Sequence, residues 1–290
     1  MKTYFFSLII TISIFLSISS NAQQLEGIAT YQSKRTVDMS SFSRGGQQVS
    51  EAQKKQMKER MKQWLEKEYT LTFNKDESFY KEEEKLQAPG QGGGFSFGGG
   101  FSEGGIYSNR VKNDYARENN MMGKTFLVKD TLNNLNWELV KESKVIGQYP
   151  VFKAVATRPI EQNLWNRLGR RARELQEKND SIAKAGGVVE KEEPNTEEIV
   201  AWYTPMIPAS HGPDEFGGLP GLILELNTSN ITILCTKVVL NPNNAISIEP
   251  PSKGKEVNRE EYAQILEEKG KEMSERYGRG GRRGQGRRGF

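Results

Sequence analysis

The chain has 290 residues, with 41 Lys and Arg against 37 Asp and Glu, one cysteine and one histidine. A single cysteine excludes an internal disulfide, and one His with one Cys cannot build a His/Cys zinc site. The net charge of +4 sits at the ends: without Lys2 and the five arginines of 278–290, 35 basic residues face 37 acidic ones. A body so near neutrality argues against a broad basic surface, and nucleic acid is not an expected partner.

The chain opens with Lys2, runs apolar from Tyr4 to Ile18 and ends that run in Ser20-Asn21-Ala22. A charged start, a short apolar stretch and a small-residue exit describe a secretory signal peptide over 1–22. The run is short for a bilayer span, and no later segment is apolar enough for one. The expectation is an exported protein, periplasmic or extracellular, with no transmembrane segment.

Residues 23–250 read as an antiparallel β domain. Leu25 to Val37 alternates weakly and suggests a first strand. Ser50-Glu51-Ala52-Gln53 is a helix-capping box, and Met57, Met61, Trp64 and Leu65 form a narrow apolar stripe over 51–67. Tyr69, Leu71 and Phe73, the turn Asn74-Lys75-Asp76 and then Ser78-Phe79-Tyr80 make a β-hairpin. Residues 88–105 hold nine glycines and read as a flexible loop. Strands are expected at 106–112, 124–129, 136–142 and 149–157. The period then changes: Leu164, Leu168, Ala172, Leu175 and Ile182 predict an amphipathic helix, so 159–196 reads as a helical insertion.

Ile199 to Thr204 predicts another strand, Leu222 to Asn227 and Ile231 to Leu240 a hairpin, and Ala245 to Glu249 a final short strand. Cys235, inside the apolar run Ile231 to Thr236, reads as a buried structural thiol. Residues 251–277 carry a C-terminal helix marked by Tyr262, Ile265, Leu266 and Met273. The Arg/Gly tail 278–290 is expected to be disordered, with a contact to anionic envelope surfaces as its candidate role. About ten short strands joined by turns predict a mainly β fold with peripheral helices: one curved antiparallel sheet or half-barrel.

The most informative stretch is 201–226, AWYTPMIPASHGPDEFGGLPGLILEL. Pro205, Pro208, Pro213 and Pro220 restrict the chain, while Gly212, Gly217, Gly218 and Gly221 permit tight turns. Leu219-Pro220-Gly221-Leu222 fits a type II turn. Together these residues predict a long connection held in one shape rather than a floppy one. Trp202, Tyr203, His211, Phe216 and Pro220 are the candidate binding residues, forming a rim against the sheet.

Gly218-Leu219-Pro220-Gly221-Leu222-Ile223 is the hexapeptide that names the GLPGLI family of exported Bacteroidetes proteins, and the chain resembles that family. Asn136-Trp137-Glu138-Leu139, Ile146-Gly147-Gln148-Tyr149, Ala201-Trp202-Tyr203-Thr204 and Gly212-Pro213 are similar to its other blocks, in order. The sequence departs from the family at Val151, near which many members carry a cysteine. The resemblance implies export and a curved sheet like those of lipoprotein carriers, and it implies no activity.

No set of catalytic residues stands out. Ser210-His211 and Asp214 are neighbours in sequence, whereas triad members converge from separate elements. The glycine-rich stretch lacks a phosphate loop's Gly-Lys-Ser/Thr ending, and no Asp-x-Asp-x-Asp-Gly loop occurs. No cofactor and no metal are expected. The preferred reading is a non-enzymatic binding protein that takes an apolar ligand or an envelope protein partner. The alternatives are a hydrolase using His211 with Asp214 or Glu215, and an accessory partner of an outer-membrane TonB-dependent receptor.

Overall fold

The structure is a computed structural model that describes residues 25–36, 43–44, 47–48, 50–83, 101–159 and 196–280. The expected signal peptide, residues 88–100 of the glycine-rich loop, residues 160–195 of the insertion and residues 281–290 of the tail lie outside the described residues.

The described residues form fourteen strands and two helices. They are β1 (Gly27–Arg35), β2 (Ser43–Arg44), β3 (Gln47–Gln48), α1 (Glu51–Leu65), β4 (Glu66–Phe73), β5 (Glu77–Glu82), β6 (Phe101–Asn109), β7 (Asp114–Met121) and β8 (Lys124–Thr131). Then come β9 (Glu138–Ile146), β10 (Tyr149–Pro159), β11 (Thr196–Thr204), β12 (Leu222–Asn227), β13 (Ile231–Leu240), β14 (Lys255–Val257) and α2 (Arg259–Gly280). Twelve strands form one open sheet, ordered β14-β8-β7-β6-β5-β4-β1-β13-β12-β11-β10-β9, and β2 pairs with β3 alone. Every pairing in the large sheet is antiparallel except β14 with β8. The fold is mainly β with peripheral helices, as expected. Among the described residues no helix is long and apolar enough to cross a membrane.

Side-chain bridges show how strongly the sheet curls. Arg158, on β10, lies over the Phe216 ring at 4.9 Å. Arg110, just past β6, donates from Nη2 to the carbonyl of Glu215, the residue before Phe216, at 2.7 Å. Strands β6 and β10 stand seven spacings apart in the sheet order. That is about 34 Å across a flat sheet. Two side chains cannot meet adjacent residues from that separation unless the sheet bends around them.

The core lies on the concave face, where alternate residues point inward. Ala29 and Tyr31 of β1, Leu71 and Phe73 of β4, Ile199 and Ala201 of β11 and Leu226 of β12 are all fully enclosed. Cys235 is buried too, and burial pushes its thiol pKa up to about 12. Helix α1 carries the expected cap: Gln53 N donates to Ser50 Oγ at 3.4 Å, and Ser50 N donates to Gln53 Oε1 at 3.0 Å. It stops at Leu65, because Glu66 already belongs to β4.

Four expectations are corrected. Residues 101–105 are strand, not loop. The glycines there admit close neighbours: a Cβ on Gly104 would lie 2.3 Å from Glu118 O, and one on Gly105 2.4 Å from the Phe79 ring. Strand β7 escapes the sequence pattern because Arg117 and Asn119 occupy two of its inward positions. Residues 245–249 form no strand. Pro242, Pro250 and Pro251 leave few donors there, and the chain crosses to β8 before pairing over 255–257. Residues 278–280 continue α2 rather than starting the tail.

Candidate functional site

The 205–221 connection folds into a plug on the concave face. Proline limits its backbone, and several of its amides and those that follow it find partners within it. Ala209 N donates to Ile207 O at 2.8 Å, Gly218 N to Ser210 O at 3.0 Å, and Ile223 N to His211 O at 3.0 Å. The expected type II turn is tighter than that. Gly221 N donates to Leu219 O at 2.8 Å, closing a three-residue turn centred on Pro220, while Leu222 N donates to Ile207 O at 3.0 Å. Gly221 is required at this point, since a Cβ would lie 2.1 Å from Thr204 O.

Distant elements clamp the plug. Trp137 Nε1 donates to Gly217 O at 2.9 Å. Arg259 pairs with Glu215 at 2.6 Å and stacks 3.7 Å over the Tyr115 ring. Tyr31 donates its hydroxyl to Ile223 O at 2.7 Å. Ile207, Ala209 and Leu219 are enclosed. The stretch that sequence pattern marks as ordered is ordered by the core itself.

The five candidate rim residues occupy different environments. Trp202 is half-buried, with Lys144 Nζ 4.2 Å from its ring centroid. Tyr203 is buried against Phe152, with ring centroids 6.2 Å apart. Phe216 lies buried under Arg158. His211 is 0% exposed beside Phe73, and neither ring nitrogen has a hydrogen-bond partner among the described residues, although the Asn74–Lys75 backbone lies near. Pro220 alone is exposed. Three of the five are thus core residues.

A different constellation forms around Asp214. Its backbone turns through φ 58°, in the left-handed region that Asp tolerates better than most residues. Burial and the neighbouring charge of Glu215 push its carboxyl up to about 6, against the opposing pull of Arg117 and Arg158. Tyr80 of β5 is electrostatically coupled to it; this hydroxyl is buried without a partner, and burial raises its pKa well above the ordinary value. The Tyr80 ring stacks on Tyr69 of β4, with centroids 4.8 Å and planes 10° apart. Arg117 of β7 donates to Glu103 of β6 at 2.6 Å and to Gly104 O at 3.2 Å. Glu103 is exposed and Asp214 only half-buried, so the constellation opens to solvent on that side.

His211 and Asp214 occupy different environments. Burial and the nearby Arg110 charge lower the imidazole pKa to about 4. No hydrogen bond joins it to Asp214 or Glu215 among the described residues. No group of three or more metal-binding side chains occurs among the described residues either.

A model for a family described as a protein of unknown function (Porph_ging) matches residues 137–225. That match takes in β10, β11 and the plug with Asp214. It does not reach β4 to β7, which supply Tyr69, Tyr80, Glu103 and Arg117. No curated protein matches the chain. Two solved structures of PNGF-II, in space groups C2 and P21, are similar at 14% identity, with TM-scores of 0.45 and 0.46. They align with 83% and 84% of this chain and with 32% and 33% of theirs, so the chain spans about a third of that protein's length.

Sequence reasoning reached Asp214 only as a possible partner of His211. Its strand neighbours were out of reach. Tyr69 and Tyr80 read as hairpin core, and Arg117 and Glu103 fell in segments not taken as strands. The available signal was Asp-Glu between Gly212-Pro213 and Phe216-Gly217: two charges inside an otherwise apolar, turn-rich block.

Proposed function

We propose that the protein is an exported binding protein that holds a ligand on the concave face of its sheet, at Asp214. The observation that carries this reading is a partly exposed carboxyl on the plug whose ionisation burial and Glu215 disfavour, electrostatically coupled to the buried, unpartnered hydroxyl of Tyr80 on β5. Buried polar groups normally find partners, and leaving them unmade costs about 1–3 kcal/mol each. A ligand that engages both groups recovers that cost. Binding is favoured over hydrolysis because the one histidine is enclosed, kept neutral and packed beside Phe73. The resemblance of residues 218–223 to the GLPGLI signature and the signal-like N-terminus support export.

The reading moves the rim from Trp202, Tyr203, His211, Phe216 and Pro220 to the Asp214 side of the same plug. A thermal-shift screen of small polar molecules on wild type, Asp214→Asn and Tyr80→Phe tests it. Stabilisation that vanishes in both variants supports the site. Stabilisers that act equally on all three proteins place binding elsewhere and defeat the reading.

A further inference from the structure

We infer that a cavity beside the β4–β5 and β6–β7 turns is a second binding site, for a small zwitterion: a free amino acid or a short peptide with both termini charged. The cavity has a volume of about 670 Å³, within the range that holds small ligands. It lies between Leu25 and Glu26 before β1, the two turns, and Pro208 of the plug. Hydrogen bonds fix those walls. Arg110 N donates to Asp76 O at 2.8 Å, which ties the two turns together, and Asn241 N donates to Glu26 O at 2.8 Å. Asn74 Oδ1 accepts from Glu77 N at 2.7 Å, and Asn109 Oδ1 from Lys112 N at 2.8 Å.

Glu77 is held in place for a ligand. Tyr107 donates its hydroxyl to Glu77 Oε1 at 2.8 Å, and Asn109 Nδ2 donates to the same oxygen at 2.9 Å. Tyr107 and Asn109 are buried, so fixed neighbours hold this half-buried side chain. Both donors are neutral, and they orient the carboxylate without cancelling its charge. An ammonium group supplies what they cannot, a charge-assisted bond.

The remaining charges point to the other end of the ligand. Glu26, Asp76 and Glu77 line the cavity together with Lys75 and Lys112. Among the described residues none of these five takes part in an ion pair, although ten ion pairs form elsewhere. Opposite charges therefore share one cavity without meeting. A ligand with an ammonium and a carboxylate bridges them; a simple cation or anion answers one sign only. Leu25, Val111 and Pro208 give its carbon atoms an apolar wall.

Full-length protein is titrated by NMR with leucine and alanyl-leucine. Two blocked peptides accompany them: N-acetyl-alanyl-leucine, which lacks the ammonium, and alanyl-leucine amide, which lacks the carboxylate. At least one zwitterion is expected to bind about tenfold or more tightly than either blocked peptide. Which of the two binds better tells an amino-acid site from a peptide site. Glu77→Gln keeps an oxygen for Tyr107 and Asn109, and it should abolish the preference over the acetylated peptide. Lys75→Met together with Lys112→Met, at exposed positions, should abolish the preference over the amide. Blocked peptides that bind as tightly as the zwitterions overturn the ligand class. Preferences unchanged in both variants place binding outside this cavity and overturn the site. Absence of binding by both zwitterions at about 20 mM overturns the inference as well. The plug site answers to Asp214 and Tyr80 instead, so the two proposals fail separately.

Discussion

His211 and Asp214 stand three positions apart, on either side of Gly212-Pro213, and burial moves their pKa values in opposite directions. The imidazole is closed off beside Phe73 and kept neutral, which suits an apolar neighbourhood. The carboxyl sits among tyrosines and other acids, partly open to water, and is forced toward the protonated state. An enclosed, neutral imidazole on one flank and a partly exposed carboxyl on the other separate the part of the plug that holds the fold from the part that is available to a ligand.

The largest expected effect breaks the packed flank. Gly221→Ala sets a Cβ against Thr204 O, and the variant should lose more than about 4 kcal/mol or fail to fold, as read by urea denaturation. Phe216→Ala removes a buried ring from beneath Arg158 and should cost about 3–5 kcal/mol in the same assay. A loss below about 1 kcal/mol in either would show that the plug is not part of the core.

The next effects sharpen the contrast between the flanks through pH. Asp214 holds its proton more tightly in the folded state, about 6 against 3.8. Its contribution to stability is therefore complete below about pH 4 and is lost as pH rises to about 6. Asp214→Asn should stabilise the protein by about 2–3 kcal/mol at pH 7.5 and leave it unchanged at pH 3.5. His211 holds its proton less tightly when folded, about 4 against 6.5. The folded state thus loses stability as pH falls from 6.5 to 4, and the two groups oppose each other over the same window. His211→Leu should expose the Asp214 slope, with stability falling as pH rises from 4 to 6; Asp214→Asn should expose the reverse slope. Parallel profiles for the two variants would contradict the assignment.

The smallest effect lies on the other side of the sheet's edge. Lys144 pairs with Glu225 at 2.7 Å and covers Trp202. Lys144→Ala should cost about 0.5–1 kcal/mol and leave binding in the thermal-shift screen untouched. A loss of binding there would return Trp202 to the site.

Much of this architecture is legible in the sequence where side chains alternate cleanly. Tyr69-Leu71-Phe73 and Leu222 to Leu240 declare their strands, and Ser50 with Gln53 declares a helix start. The pattern fails where inward positions are polar, as at Arg117 and Asn119, and where glycine serves close packing, as at Gly104 and Gly105. Proline and glycine in 205–221 mark a fixed shape but not the direction in which it faces. The same residues that suit a binding rim, Tyr203, His211 and Phe216, also suit a core. The Asp214 constellation depends on curvature that brings β10 and β7 to one loop, which no local pattern encodes.

The ionisation of Asp214 carries the account. A carbon-13 NMR titration of its side-chain carboxyl, assigned by its loss in Asp214→Asn, should give a midpoint at about pH 6. A midpoint at 4 or below in the free protein would mean that the carboxylate is already paired, and the proposed site would have nothing left to offer.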